Sequence, residues 1–269
     1  MLDPFILRAV IGVIFASFSA IVSTLMLLRG ALYITPEVSH AALGGAAVGV
    51  LFQTLFPWFA DPFPLVILFC IATSVFISRM GRSGPQTLGV MLSVSLAVSV
   101  MLYAVIRSYL PVDRRIIVDG YLVSDLLLLS NLDVLSLAIA STLTLILAAL
   151  FYREFLYICF DVETAEALGL KVGLYDSLLF AISAITVAVI AKTIGVLLSV
   201  TLLIIPAATS RFLTYSISRM FIISLLIALS SGLGGIALSL YFNIPTSGAI
   251  ALISTIFFTI TYLVKGRRQ

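Results

Sequence analysis

The chain has 269 residues, 62% of them apolar and only 10% charged, with a mean hydropathy of +1.24. A soluble domain carries about 45–50% apolar and about 25% charged residues, so this chain lacks the polar surface to cover itself in water, and a chain this apolar does not stay disordered. Its formal net charge of +3 is small and dispersed, with no basic patch that would bind nucleic acid.

Met1-Leu2-Asp3-Pro4 carries no basic n-region, and the apolar run that follows is too long for a signal-peptide core, so it reads as a retained first membrane span. Runs free of charge then recur along the chain at residues 9–28, 38–60, 62–78, 83–106, 134–152, 177–191, 193–210 and 220–264. A helix needs about 20 residues to cross the hydrocarbon of a bilayer. The last run has 45 residues. As one helix it would reach roughly 68 Å. It also contains the turn sequence Asn243-Ile244-Pro245-Thr246-Ser247-Gly248, which divides it into two helices. The fold class expected is therefore an all-α polytopic membrane bundle of about nine transmembrane helices, eight or ten remaining open, in one transmembrane domain over residues 1–269. The run 177–191 is the weakest of them because it is short.

Nine crossings put the termini on opposite sides. With the C-terminus inside, Arg29, Arg79, Arg82, Arg153, Lys171, Arg211, Arg219, Lys265, Arg267 and Arg268 face the cytoplasm, against Arg8, Arg107, Arg114, Arg115 and Lys192 outside. The excess of basic residues on the inner side predicts N-terminus outside, C-terminus cytoplasmic. Gly44-Gly45-Ala46-Ala47-Val48-Gly49 and Ser230-Ser231-Gly232-Leu233-Gly234-Gly235 lack bulk over a turn or more and suit close helix approach, although such stretches are common in membrane helices generally.

Two polar features stand apart from packing. Pro36-Glu37-Val38-Ser39-His40 opens the second span; Glu37 and His40, the one histidine of the chain, are three residues apart and share a helix face. A carboxylate and an imidazole are ligands for a divalent transition metal, and ionisable groups in a span usually face the bundle interior. The plainer reading is a structural histidine bonded to a neighbouring helix, with Glu37 solvated in the preceding loop. The second feature is the charged connection 153–176, placed in the cytoplasm by the basic-residue count. Asp161 is a helix N-cap, Glu163 and Glu166 suit a first turn, Val162, Ala165 and Leu168 fall on one face, and Gly169 is placed to end the helix. A short acidic amphipathic helix there implies a docking partner rather than a lipid anchor, since interfacial anchors are usually basic.

No catalytic set accompanies these features. GxSxG, HExxH, an intramembrane aspartate pair and the phosphate-binding GxxxxGK[ST] are all absent, and Cys70 and Cys159 form no CxxC or Cys/His cluster. The chain is expected to be a transport subunit and not an enzyme; if ATP drives transport, the ATPase is another chain.

Three stretches resemble one family. Leu28-Arg29-Gly30 with Ser39-His40-Ala41-Ala42-Leu43-Gly44-Gly45 is similar to the arginine turn and D-x-x-S-H-A-x-L-P-G helix of the membrane subunits of bacterial and archaeal zinc/manganese/iron ABC importers. Phe160-Asp161-Val162-Glu163-Thr164-Ala165-Glu166-Ala167-Leu168-Gly169-Leu170 resembles the FDPE-x-A-x-x-x-G coupling segment of those subunits. The stretch from Gly195 to Arg211, with Ile205-Pro206-Ala207-Ala208-Thr209, resembles their G-x-L-L…L-I-x-P-A-A-T-A stretch. The chain departs from the family where Pro36 occupies the position of the aspartate, Glu37 follows it, and Gln86-Thr87-Leu88-Gly89 replaces an acidic D-T-x-I-G motif.

The resemblance implies a type-II-like importer permease, paired as a homodimer, embedded in lipid of the cytoplasmic membrane, driven by a separate cytoplasmic ABC ATPase and supplied by an extracytoplasmic metal-binding protein. It implies a transported zinc, manganese or iron ion and no permanently bound cofactor. It gives Glu37 and His40 the role of metal ligands, and Asp161, Glu163, Ala165, Leu168 and Gly169 that of ATPase coupling. A permease for a metal chelate such as haem, a siderophore or a corrinoid is the nearest alternative, and a secondary transporter the next. The short chain argues against the first, and spans nearly free of Asp and Glu against the second.

Overall fold

A computed structural model describes residues 3–56, 58, 61–80, 85–122 and 124–265. Thirteen α-helices and a 3-10 turn, Leu126–Leu128, account for nearly all of them: α1 (Pro4–Ser17), α2 (Ser19–Leu28), α3 (Ile34–Leu55), α4 (Phe63–Met80), α5 (Pro85–Tyr109), α6 (Val112–Leu122), α7 (Asn131–Leu150), α8 (Tyr152–Phe160), α9 (Val162–Ala167), α10 (Val172–Ile194), α11 (Val196–Leu213), α12 (Ile217–Phe242) and α13 (Thr246–Lys265). Among the described residues there is no β-strand, as expected in hydrocarbon, where a helix satisfies its own backbone. Seven segments are long and apolar enough to cross a membrane: the α1–α2 rod Pro4–Leu28, α3, α7, α10, α11, α12 and α13; α4 and α5 contribute shorter apolar stretches, Phe63–Arg79 and Ser93–Tyr109.

The region expected to be the weakest span is the centre of the bundle. Helix α10 runs 23 residues, not the 15 of its uncharged run, and packs against α3, α4, α7 and α11. The charges at its ends mislead a reading that stops at the nearest ionised residue, because both are partnered. Asp176 pairs with Arg29, and Lys192 lies 3.9 Å from Asp61 and 4.2 Å from the centre of the Phe63 ring. The predicted break in 220–264 is present: α12 ends with Asn243 left-handed, and α13 begins at Thr246.

Helix association in lipid has little hydrophobic driving force and relies on close approach and hydrogen bonds. Both are visible. A Cβ at Gly45 would stand 3.0 Å from the Val66 backbone of α4, one at Gly49 2.7 Å from the Pro62 carbonyl, and one at Gly235 2.7 Å from the Ile250 backbone of α13. The small-residue stretches thus bind helices within this chain. Hydroxyls stitch the rest: Ser74 donates to the Phe180 carbonyl, Ser141 to the Phe15 carbonyl, and Thr144 meets Thr186 at 3.0 Å.

The two ends of α10 define the two ends of the molecule, about 24 Å apart at 1.5 Å per residue between Asp176 and Lys192. One end gathers Arg29, Ser78, Asp176 and the helices α8 and α9. The other gathers Asp61 and Lys192, with Ser124 bonded to the Thr193 carbonyl and Thr246 bonded to Asp125.

Candidate ion pathway and coupling surface

Helix α3 does not begin at either end. Cys70, midway along α4, donates to the Val38 carbonyl of α3 at 3.5 Å, so the first turns of α3 lie beside the middle of α4. The chain enters this depth through a turn closed by Gly30, whose φ of +72° lets the Ala31 and Gly30 amides bond back to Met26 and Leu27. A helix that starts inside the bundle aims the positive end of its dipole into the interior.

Glu37 and His40 sit on these first turns. The uncharged run placed the helix start at residue 38 and left open a solvated Glu37. The structure corrects that: α3 starts at Ile34 because Thr35 and Pro36 are good first-turn residues, and Glu37 is 4% exposed. One carboxylate oxygen, Glu37 Oε2, and the ring nitrogen His40 Nδ1 are buried with no hydrogen-bond partner among the described residues. The neighbouring Ser39 bonds to Ser199 of α11 at 3.1 Å, which fixes the turn between them. Among the described residues no group of three His, Cys, Asp or Glu side chains could enclose a metal ion, so Glu37 and His40 are the strong ligand types present and hydroxyls or carbonyls would complete a shell. Gln86 and Thr87 lie in α5, but their side chains are outside the described residues.

An open groove of about 530 Å³ lies between α4 and α5, floored by Ala41 of α3 and walled by Phe69, Phe76 and Val98. Its polar lining is Thr73, Ser95 and Ser99.

The second polar cluster is closed. Arg29 Nε lies 2.7 Å from Asp176 Oδ1, Ser78 donates to Asp176 Oδ2 at 3.2 Å, and Asp176 is 3% exposed. It joins the ends of α2, α4 and α10. A lone basic residue in one run and a lone acid in another gave no sequence signal of their pairing.

Beside it stands the charged connection. Phe155 and Ile158 of α8 and Ala165 of α9 are fully buried anchors. Asp161 caps α9, accepting from the Thr164 amide and hydroxyl, and these bonds hold its carboxyl below the usual carboxylate range. Gly169, at φ +81°, ends the helix: the Leu170 amide bonds to Ala165 and the Gly169 amide to Glu166. Glu163 is exposed in the first turn. Leu168, expected on the face of Ala165, is instead 63% exposed, because α9 ends at Ala167 and the turn swings it outward. An open groove of about 550 Å³ runs between Arg153, Tyr157, Phe160 and Thr164, rimmed by exposed aromatic rings.

A many-helix bundle with an apolar exterior, seven segments long enough to cross a membrane and an unpartnered carboxylate oxygen and imidazole nitrogen among its helices fits a multi-pass membrane permease. Residues 2–265 match the ABC 3 transport family, and the chain belongs to that family. It is 29% identical over 247 residues to the manganese transport system membrane protein MntC of Listeria monocytogenes, covering 91% of this chain and 85% of that protein. It is 30% identical over 247 residues to a probable metal transport system membrane protein of Thermotoga maritima, covering 92% and 85%. Its fold matches that of PsaBC from Streptococcus pneumoniae, solved in complex with Fab, with a TM-score of 0.79 at 24% identity, covering 97% of this chain and 92% of that one.

Proposed function

We propose that this chain is the permease subunit of an ABC importer that carries a divalent transition-metal ion, zinc, manganese or iron, across the cytoplasmic membrane. The observation that carries the reading is the Glu37/His40 pair: a buried carboxylate oxygen and a buried imidazole nitrogen, both unpaired, on adjacent turns of a helix that starts in mid-bundle. Two strong ligands backed by hydroxyls hold a divalent ion briefly, which is what passage requires; a resident site would need a fuller shell. The membership of the ABC 3 transport family and the metal transport names of its relatives support the same reading.

In this reading the whole chain is one permease domain. α4 and α5 join the seven long segments to give nine crossings, with the N-terminus outside and the C-terminus cytoplasmic. The connection 153–176 is the coupling segment: Asp161 and Gly169 fix α9, Ala165 plugs it to the bundle, and Glu163, Leu168 and the groove along α8 meet a separate cytoplasmic ABC ATPase that hydrolyses the ATP. Two copies form the pathway, and an extracytoplasmic binding protein delivers the ion.

The test is uptake into proteoliposomes containing this chain and its ATPase, with Zn²⁺, Mn²⁺ and Fe²⁺ supplied on the binding-protein side, with and without ATP. One ion should enter, only with ATP, and Glu37→Gln or His40→Ala should reduce its uptake at least about tenfold, or about 1.4 kcal/mol, while the complex still assembles. Movement of a chelate in place of every free ion would overturn the assignment.

A further inference from the structure

We infer that the Arg29–Asp176 pair is the strut that carries a displacement of α9 to the first turns of α3, so that the ATPase repositions Glu37 and His40 through it. The inference rests on the reading of α9 as the coupling helix and of Glu37 and His40 as pathway ligands. Three observations converge on the pair. Arg29 Nε meets Asp176 Oδ1 at 2.7 Å, with Asp176 buried and Ser78 of α4 donating to its second oxygen at 3.2 Å. On one side of the pair the chain from α9 to α10 has little slack: the Gly169, Leu170, Val172 and Tyr175 amides bond back to the carbonyls of Glu166, Ala165, Leu170 and Lys171. On the other side the Gly30, Ala31 and Ile34 amides bond back to Leu27, Met26 and Ala31, and Glu37 follows in the first turn of α3.

The mechanics follow from the bonding. Packed apolar helix faces slide past one another by small amounts, whereas a charge-assisted hydrogen bond fixes both distance and direction. Removing one partner of a buried pair costs more than the coupling between two sites normally supplies, so the pair follows a displacement and does not open under it. α9 is anchored by the buried Ala165 and runs through the Gly169 turn into α10, so a push on α9 reaches the first turns of α10. Asp176 stands on those turns and passes the push to Arg29, the residue that ends α2. The turn closed by Gly30 then leads into α3 and the two ligands. Ser78 ties the same carboxylate to the end of α4, about 12 Å along that helix from Cys70, whose thiol holds the Val38 carbonyl beside the ligands. The start of α3 is thus gripped by α2 and by α4, and both are fastened to Asp176.

The test compares the unaltered permease–ATPase complex with the double variant Arg29→Met, Asp176→Leu, which removes both charges without stranding one. Amide exchange is followed over residues 30–37 and 162–167, with and without the non-hydrolysable ATP analogue AMP-PNP. In the unaltered complex the nucleotide should change exchange in both segments. In the double variant the change over 162–167 should remain and that over 30–37 should shrink at least about fivefold. Asp176→Asn, of the same size but uncharged, should show the same loss and serves as the second variant where the double one assembles poorly. In proteoliposomes either variant should hydrolyse ATP within about twofold of the unaltered rate while the ions moved per ATP fall about tenfold, read with whichever of Zn²⁺, Mn²⁺ and Fe²⁺ the unaltered complex takes up. Hydrolysis and uptake that fall together, in proportion to the complex that remains, would mark a purely structural tie and overturn the inference. So would an undiminished response over 30–37 in an assembled variant, or none there in the unaltered complex while 162–167 responds. No response over 162–167 in the unaltered complex, or uptake of none of the three ions, would bring down the underlying reading instead.

Discussion

Two buried acids lie inside this bundle and they have opposite surroundings. Asp176 is fully engaged: Arg29 on one oxygen, Ser78 on the other, at the place where α2, α4 and α10 end. Glu37 is open: its Oε2 is buried with no partner among the described residues, and the same holds for Nδ1 of the neighbouring His40. Desolvating a carboxylate is expensive in either place. At Asp176 the fold itself offsets that cost; at Glu37, on the reading proposed above, the passing cation does. A closed pair ties helices together; an open one is a place for something to bind.

The largest expected effect breaks the closed site. Arg29→Ala leaves the buried Asp176 without its counter-charge and Asp176→Asn leaves Arg29, part-buried, without its own; each should lower stability, the first by about 3 kcal/mol and the second by less, read as thermal unfolding of the purified protein in detergent. Arg29→Met with Asp176→Leu removes both charges and should cost less than either single change. If the double variant were the least stable of the three, the pair would be contributing net attraction well beyond relief of an isolated charge. Next come the contacts that hold α3 in its place between the two sites. Gly49→Ala drives a Cβ into the Pro62 backbone and should cost about 2 kcal/mol. Gly173→Ala, with nothing within 4 Å, should be neutral or stabilising by about 0.5 kcal/mol.

The open site should respond the other way round. Glu37→Gln keeps size and loses charge, so it should leave unfolding within about 0.5 kcal/mol of the unaltered protein while reducing ATP-driven uptake about tenfold. Parallel measurement of unfolding and uptake in Asp176→Asn and Glu37→Gln is the sharpest form of the comparison. Equal loss of stability in both would erase the distinction between them.

Much of this was legible in the sequence because lipid enforces a simple code. Apolar runs, the Asn243-Ile244-Pro245 break, the Asp161 cap and the Gly169 stop are local signals, and each has its local structure. What stayed hidden depends on pairing across the fold. Asp176 and Lys192 bound the apparent sixth span only until Arg29 and Asp61 are found beside them. The depth of Glu37 follows from where α3 starts relative to α4, which Cys70 and Val38 reveal and no spacing within α3 could.

The most local effect concerns α9, which touches the closed site's end of the bundle and not the open one. Its six residues are held by Asp161 at one end and Gly169 at the other. Asp161→Ala removes the cap and should fray the helix, and Gly169→Ala forces a side chain into the left-handed region at a cost of about 1 kcal/mol. The Thr164 hydroxyl and amide hold the Asp161 carboxyl below its ordinary value. The sign follows: the cap's contribution is complete above the ordinary carboxylate value and is lost as pH falls through the lower folded one. Amide-exchange protection across Val162–Ala167 should therefore stay level from neutral pH down to about 4 and fall only in stronger acid. Asp161→Asn, which still caps but does not titrate there, should abolish that fall. Protection lost already between pH 7 and 5 would mean that another group holds α9, and that Asp161 is not the side chain that keeps the helix ready for its partner.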